Sequence, residues 1–187
     1  QERWDSLQKI IKEEKEKEKK AKGQSSVFRT PQTQEEYYAA MTAAQKLSEN
    51  KFGTVGAVAL DKNGNLAAGT STGGMTYKKY GRVGDVPVIG AGTYANNNTC
   101  AVSATGWGEF FIRVGVARDI SALMEYRALP VQNAADEVMN KVKTLGGDGG
   151  VIAIDKFGNI GVSFNSEGMY RAYINGDGKP VVEIYKD

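Results

Sequence analysis

Histidine is absent from this chain of 187 residues, and cysteine occurs once, as Cys100. The lack of histidine excludes Ser–His–Asp and Cys–His nucleophile systems, imidazole general bases and histidine-bound zinc. A single cysteine excludes internal disulfides and thiolate metal clusters. The apolar run around Cys100 favours a small buried hydrophobe over a reactive thiol. An enzyme built on this chain must therefore use carboxylates, lysine, arginine, tyrosine, serine or threonine.

Strong net charge and long apolar runs are also lacking. The formal net charge is +2, which is too small to indicate a nucleic-acid or membrane-surface partner. No apolar run approaches the roughly 18–20 residues that span a bilayer. We therefore expect neither nucleic acid nor membrane as a partner. The chain begins at Gln1 without a signal-peptide pattern, so we expect an internal or processed piece, and the sequence leaves cytoplasm and periplasm both open.

The composition divides the chain into three parts. Residues 2–22 have apolar positions at helical spacing, followed by Glu–Lys pairs four apart, and predict a helix with a solvated end. Residues 23–53 are polar and predict a mobile linker. At Gly53–Thr54 the chain changes abruptly to strand-like runs, so 54–187 is the predicted folded domain.

The folded domain is predicted to be α+β. TVGAVALD and LAAGTST flank the turn DKNGN, and GGVIAID and IGVSF flank the similar turn KFGN, so both pairs predict hairpins. Strands are also predicted at 87–95 and 99–105, helices at 108–126 and 130–144, and a last hairpin in GMYRAYI and VVEIY. This order favours helices packed on a mostly antiparallel sheet.

Glycine and threonine recur together in short segments, at 53–56, 70–74 and 104–108, and a further glycine-rich loop covers 81–85. Each segment alone is explained by turn geometry, because strands often end in Thr–Gly. Their combination suggests a site. A hydroxyl needs a base to become a nucleophile, and a threonine at a new N-terminus carries one in its own α-amine, of pKa about 8. Thr54 begins a predicted strand directly after the polar linker. Cleavage of the chain at this linker would make Thr54 a new N-terminus.

Arg82 and Asp85 place a cation and an anion three residues apart in the glycine-rich loop. This pair suits the α-carboxylate and α-ammonium of an amino acid, and the flanking glycines allow backbone groups to approach a ligand closely. The alternative is a local surface Arg–Asp pair without a ligand.

Five long motifs together resemble the plant-type L-asparaginases, also called isoaspartyl peptidases, of the N-terminal-nucleophile (Ntn) hydrolase superfamily. These motifs are GTVGAVALDKNGNLAAGTSTGGMT (53–76), GRVGDVPVIGAGTYA (81–95), ATGWGEFFIR (104–113), GGDGGVIAIDKFGN (146–159) and FNSEGMYRA (164–172).

The resemblance implies part of an αββα sandwich, its C-terminal half. Self-cleavage between Gly53 and Thr54 would yield an α- and a β-subunit that stay together. Residues 1–22 would be the C-terminal helix of the α-subunit, 23–53 the linker, and 54–187 the catalytic β-subunit.

The resemblance also implies a threonine mechanism. Thr54 would attack the side-chain amide or isopeptide carbonyl of an aspartyl group, and water would then release L-aspartate. Thr72 would hydrogen-bond near the Thr54 hydroxyl. The Thr105 hydroxyl and the Gly106 N–H would form the oxyanion hole, where one donor contributes roughly 3–4 kcal/mol.

The substrate implied by the resemblance is a small amino acid or dipeptide. Arg82 would hold its α-carboxylate, and Asp85 its α-ammonium, helped by backbone near Gly106 and Gly108.

Two departures leave alternatives open. The segment 67–72 also resembles the glycosylasparaginases, although these usually place Asp before the nucleophile, where this chain has Gly53, and Asn where Gly73 stands. These two positions favour the asparaginase branch. The second departure is the short segment before Thr54. The family's α-subunit is far longer, so half the sandwich and a cation-binding loop are expected in a segment absent from this chain.

That segment is the expected partner, in an (αβ)2 assembly. No cofactor and no catalytic metal are predicted; a structural monovalent cation would belong to the absent segment. The remaining alternative is an inactive, unprocessed fragment.

Overall fold

The computed structural model describes residues 53–74 and 81–186, which fall in one compact unit, together with Lys12, Glu13 and Glu16. These last three positions are helical. The rest of the predicted helix at 2–22, and the predicted linker up to residue 52, lie outside the described residues.

The described part of the main unit is α+β, as predicted, and every named strand pair is antiparallel. The strands are β1 Thr54–Leu60, β2 Leu66–Thr72, β3 Thr93–Ala95, β4 Cys100–Gly106, β5 Gly149–Asp155, β6 Ile160–Phe164, β7 Gly168–Ile174 and β8 Pro180–Tyr185. The helices are α1 Gly108–Val114, α2 Val116–Arg127 and α3 Val131–Thr144. Strands β3-β4-β5-β6 form one sheet, and β1-β2 and β7-β8 form two-stranded sheets.

The two predicted hairpins around DKNGN and KFGN are present, and their turns share one hydrogen-bond pattern. Oδ1 of Asp61 accepts the backbone N–H groups of Asn63 and Asn65 at 2.8 and 2.7 Å. Oδ1 of Asp155 accepts those of Phe157 and Asn159 at 2.8 and 2.9 Å. The side-chain and backbone hydrogen bonds from Asn65 hold the pKa of Asp61 below its ordinary value. The aspartate therefore closes each turn as an acceptor of its own following backbone.

The four-stranded sheet is covered on both faces. Helices α2 and α3 pack on it, and the β1–β2 hairpin packs against β4 and β5. Residues 100–104 are therefore all buried, which explains why β4 reads as a continuous apolar run. Cys100 is fully buried in this strand, and burial raises its pKa to about 12. This agrees with its interpretation as a small buried hydrophobe.

Two predicted elements were wrong in extent. The predicted helix at 108–126 is divided by Gly115, whose left-handed backbone (φ 67°) ends α1 before α2 begins. The predicted strand at 87–95 is a strand only from Thr93, because residues before it form turns around Gly90, whose φ of 92° is incompatible with a strand. The predicted helix at 130–144 is confirmed, with Pro130 as its N-cap.

Two hairpins expose apolar side chains. Val55 of β1 is 71% exposed, and Tyr170, Ile174 and Val182 on β7–β8 are exposed to a similar degree. Within the described part of the chain, no helix has the length and apolar character needed to cross a membrane.

Ala128 is the one described non-glycine residue with a positive φ, 52°, just after α2. A Cβ is strained in this left-handed conformation, which glycine adopts freely. We expect Ala128→Gly to raise the free energy of unfolding by roughly 0.5–1 kcal/mol, measured by equilibrium denaturation. The matched control is Ala122→Gly within α2, which should lower stability by about 1 kcal/mol. Equal losses in both variants would contradict this account.

Candidate active site

Thr54 and Thr72 face each other at the open end of the β1–β2 hairpin, where the antiparallel register pairs them directly. The Thr54 hydroxyl donates to Oγ1 of Thr72 at 3.3 Å, and the Thr72 hydroxyl donates to the carbonyl oxygen of Gly53 at 3.4 Å. The N–H of Gly74 donates to Oγ1 of Thr72 at 3.0 Å. The Thr72 hydroxyl therefore bridges the Thr54 hydroxyl and the carbonyl of the Gly53–Thr54 peptide bond.

Thr105 and Gly106 end strand β4, just before α1 begins. Gly106 has a φ of 147° and pairs with Gly149, and a Cβ on Gly106 would overlap the carbonyl oxygen of Asp148. Only glycine therefore fits at this position, where the end of β4 pairs with the start of β5. Gly106 is nevertheless exposed to solvent, and Thr105 is half-buried. The strand end is thus tightly packed on one side and open on the other.

Contacts between the hairpin and the sheet place these two pairs at the same end of the unit. The N–H of Leu66, at the start of β2, bonds to Oδ1 of Asn97, just before β4. Further along both strands, Oγ1 of Thr70 lies 2.7 Å from Oγ of Ser103. Strands β2 and β4 therefore run in the same direction. Thr72 and Thr105 each follow that contact by two residues, a rise of roughly 6–7 Å along a strand.

Asp85 lies beside the junction between β4 and α1. A Cβ on Gly108 would stand 2.5 Å from Oδ1 of Asp85, and a Cβ on Gly92 would stand 2.8 Å from Oδ2. Asp85 is only 7% exposed, whereas Arg82 is exposed in the same loop. The Asp85 carboxylate is therefore buried between glycines and does not lie on the surface.

The structure thus brings together Gly53, Thr54 and Thr72, and separately Asp85 and Gly108. Thr105 and Gly106 connect the two groups through β4. No described contact ties Arg82 to either group. Two further hydroxyls, of Thr93 and Ser103, contact the site-bearing hairpin through Thr70. The signal for Ser103 is a polar residue at an inward position of the otherwise apolar strand β4; Thr93 has no comparable signal.

A groove in the described residues lies away from these groups. It has a volume of about 570 Å³ and opens between β6, the start of α3 and the β7–β8 hairpin, where it is lined by residues such as Gln132, Arg171 and Glu183. None of the predicted site residues lines it. Among residues 53–74 and 81–186, no group of three side chains from His, Cys, Asp and Glu is placed to hold a metal ion.

The chain matches a family model along nearly its whole length and known proteins along most of it. The family model described as Asparaginase matches residues 1–184. An isoaspartyl peptidase of Salmonella typhimurium is 52% identical over 171 residues, covering 86% of this chain and 55% of that protein. An isoaspartyl peptidase of Escherichia coli is 57% identical over 140 residues, covering 74% and 44%. An isoaspartyl peptidase/L-asparaginase of Xenopus laevis is 48% identical over 127 residues, covering 67% and 41%. The chain therefore spans about half the length of the curated relatives it matches.

Proposed function

We propose, from the premise that this chain belongs to the asparaginase family, that it is the C-terminal part of a self-processing amidohydrolase whose nucleophile is Thr54. The assembled protein would hydrolyse L-asparagine and β-aspartyl dipeptides and release L-aspartate. The observation that carries the proposal is the chain of hydroxyls from Thr54 through Thr72 to the Gly53 carbonyl, at 3.3 and 3.4 Å.

Self-cleavage begins at the intact peptide bond. The Thr54 hydroxyl adds to the carbonyl carbon of Gly53, and the C–N bond breaks as the nitrogen gains a proton. The product is an ester between Gly53 and the Thr54 side chain. Water hydrolyses this ester to a Gly53 carboxylate and a free Thr54 amine. The hydroxyl of Thr72, placed between the two reacting groups, holds the nucleophile and carbonyl in reach of each other.

The new α-amine then serves as the base for turnover. An α-amine has a pKa of about 8, so roughly a tenth of it is unprotonated at pH 7 and available as a base. It takes the proton of the Thr54 hydroxyl as the oxygen attacks the side-chain carbonyl of the substrate. The Thr105 hydroxyl and the Gly106 N–H stabilise the oxyanion. Ammonia or an amino acid leaves with that proton, and water releases L-aspartate from the acyl-enzyme.

The substrate is selected by its two α-substituents. Asp85 lies beside the junction between β4 and α1, and its carboxylate can accept charge-assisted hydrogen bonds from the α-ammonium of the substrate. The exposed guanidinium of Arg82 is in the same loop and can pair bidentately with the α-carboxylate. Gly108 lets the Asp85 carboxylate approach the junction between β4 and α1 closely, because a Cβ at this position would stand 2.5 Å from Oδ1 of Asp85.

The remaining half of the sandwich is the proposed partner. The apolar side chains exposed on the β1–β2 and β7–β8 hairpins, such as Val55 and Val182, need a cover in a stable protein. We assign that cover to an α-subunit segment whose last helix is 1–22 and whose linker is 23–53, within an (αβ)2 assembly. Any structural monovalent cation belongs to that segment.

Three substrates test the proposal. The purified full-length protein, with any segment that precedes this chain, should release aspartate from L-asparagine and from β-aspartyl-leucine. A glycosylated asparagine should react at least about tenfold more slowly, because Gly53 and Gly73 stand where glycosylasparaginases usually have Asp and Asn. Hydrolysis of the glycosylated substrate alone would instead identify a glycosylasparaginase. Inactivity towards all three would leave only the inactive-fragment alternative and reject the proposal.

A further inference from the structure

Three hydroxyl side chains, of Thr70, Thr93 and Ser103, meet where the β1–β2 hairpin contacts the four-stranded sheet. We call them the hydroxyl junction. The hydroxyl of Thr93 donates to Oγ1 of Thr70 at 2.6 Å, and Oγ of Ser103 lies 2.7 Å from the same atom. The Thr70 hydroxyl in turn donates to the carbonyl oxygen of Gly92 at 3.3 Å. With Ser103 as donor to Thr70, all three hydroxyl protons are used, so the junction is a saturated network.

The junction joins two layers at one point. Thr70 comes from β2 in the hairpin, whereas Thr93 and Ser103 are paired neighbours on β3 and β4 in the sheet. Opposite Thr70 in the hairpin register is Gly56, and a Cβ there would overlap Oγ of Ser103. The backbone of β1 at Gly56 therefore lies directly against the Ser103 side chain of the sheet, with no room for a side chain between them.

Both halves of the proposed catalytic site extend from this point. Thr54 precedes Gly56 by two residues and Thr72 follows Thr70 by two residues, so both lie towards the open end of the hairpin, and Thr105 follows Ser103 by two residues along β4. The Gly92 carbonyl that accepts from Thr70 also accepts from the N–H of Ala104 at 2.9 Å. The junction thus lies two residues along the strands from both halves of the proposed site.

The far end of the hairpin is held independently. Oδ1 of Asn97 accepts the N–H of Leu66 at 2.8 Å, at the turn end of β2. Loss of the Thr70 hydroxyl would therefore free the site end of the hairpin while the turn end stays attached. A shift of about 1 Å between reacting groups is enough to slow a reaction by roughly a hundredfold.

We propose that Thr70, Thr93 and Ser103 are positioning residues, which set the distance between the Thr54 nucleophile and the Thr105–Gly106 oxyanion donors. This inference rests on the proposed function. Thr70 is the central member, because both other hydroxyls and the Gly92 carbonyl bond to its one oxygen.

The test is Thr70→Val in the full-length protein, which removes the hydroxyl and keeps the shape. We expect kcat for β-aspartyl-leucine to fall at least about tenfold with KM changed less than about threefold, since substrate contacts remain. Self-cleavage at Gly53–Thr54, followed by mass, should slow by a similar factor. Thr70→Ser, which restores the hydroxyl, should recover kcat to within about threefold of the wild type.

The matched control is Thr99→Val. Thr99 and Ser121 form another buried hydroxyl pair, 2.7 Å apart, at the opposite end of β4. Thr99→Val should lose stability comparably and keep the wild-type kcat. Equal kcat in Thr70→Val and wild type, or equal losses in Thr70→Val and Thr99→Val, would overturn the inference while the proposed function stands. A wild type inactive on every substrate would reject both.

If Thr70→Val does not fold, Ser103→Ala serves in its place, because it removes one bond to Thr70 and introduces no clash. It should lower kcat by at least about threefold with KM unchanged. An unchanged kcat in folded Ser103→Ala would equally overturn the inference.

Discussion

Thr54→Ala is expected to abolish both self-cleavage and hydrolysis of L-asparagine and β-aspartyl dipeptides. Alanine removes the attacking oxygen of both reactions, and an uncleaved chain also lacks the amine that would act as base. Loss of a nucleophile that acts together with its base lowers kcat by roughly 10⁴-fold or more. The measurement is the rate of aspartate release, with the fragment pattern of the same sample followed by electrophoresis.

Thr54→Ser is the matched control, because serine keeps the hydroxyl and, after cleavage, the amine. Thr54→Ser should cleave itself and hydrolyse the substrates. Both rates should be lower than those of the wild type and far higher than those of Thr54→Ala. Cleavage in Thr54→Ala at the wild-type rate would point to an external protease. Turnover in Thr54→Ala near the wild-type level would place the nucleophile elsewhere.

Thr105→Val has the second largest expected effect. The hydroxyl of Thr105 is proposed to donate to the oxyanion, and valine keeps the shape of the side chain at this half-buried strand end. Loss of one oxyanion donor costs about 10²–10³ in kcat. KM should change little, because the donor acts mainly on charge that develops in the transition state. Steady-state kinetics of a separately confirmed folded variant gives both values.

Thr144→Val provides the comparison for this second prediction. Thr144 lies at the end of α3, exposed, where its hydroxyl donates to the Asn140 carbonyl at 2.8 Å. Its replacement should leave kcat within about twofold of the wild type. A Thr105→Val enzyme as fast as Thr144→Val would remove Thr105 from the oxyanion hole.

Several features of the fold follow from local sequence chemistry. The hairpins around Asp61 and Asp155 are predictable because each turn is closed by its own aspartate and glycine. Helix α3 is predictable because Pro130 and the glycine at 146 frame a periodic segment. In these cases the residues that specify an element are within that element.

The wrong boundaries have a different cause. Gly115 in a helical pattern is compatible with either a continuous helix or a break, and in the folded protein its left-handed backbone ends α1. The apolar run before Thr93 has strand composition, yet it makes turns because the backbone of Asp85 accepts the N–H groups of Val88 and Gly92. The hydrophobic periodicity of the sequence does not reveal backbone hydrogen bonds of this kind.

The candidate site shows the same division. The absence of histidine and the abrupt start of strands at Thr54 can be seen directly in the sequence. The pairing of Thr54 with Thr72 follows from the register of the predicted hairpin. The burial of Asp85 against Gly108 and the meeting of Thr70, Thr93 and Ser103 join separate strands and loops. Their contacts depend on how the layers stack, which composition and spacing do not reveal.

The most direct test of the central claim is the covalent state of the Gly53–Thr54 bond in catalytically active protein. Intact-mass measurement and N-terminal sequencing of the purified full-length protein should show a β-fragment that begins TVGAVALD at Thr54. The proportion of this fragment should rise together with aspartate-releasing activity during incubation. Full activity in protein whose Gly53–Thr54 bond is unbroken would contradict the account, because an amide nitrogen cannot serve as the base for Thr54.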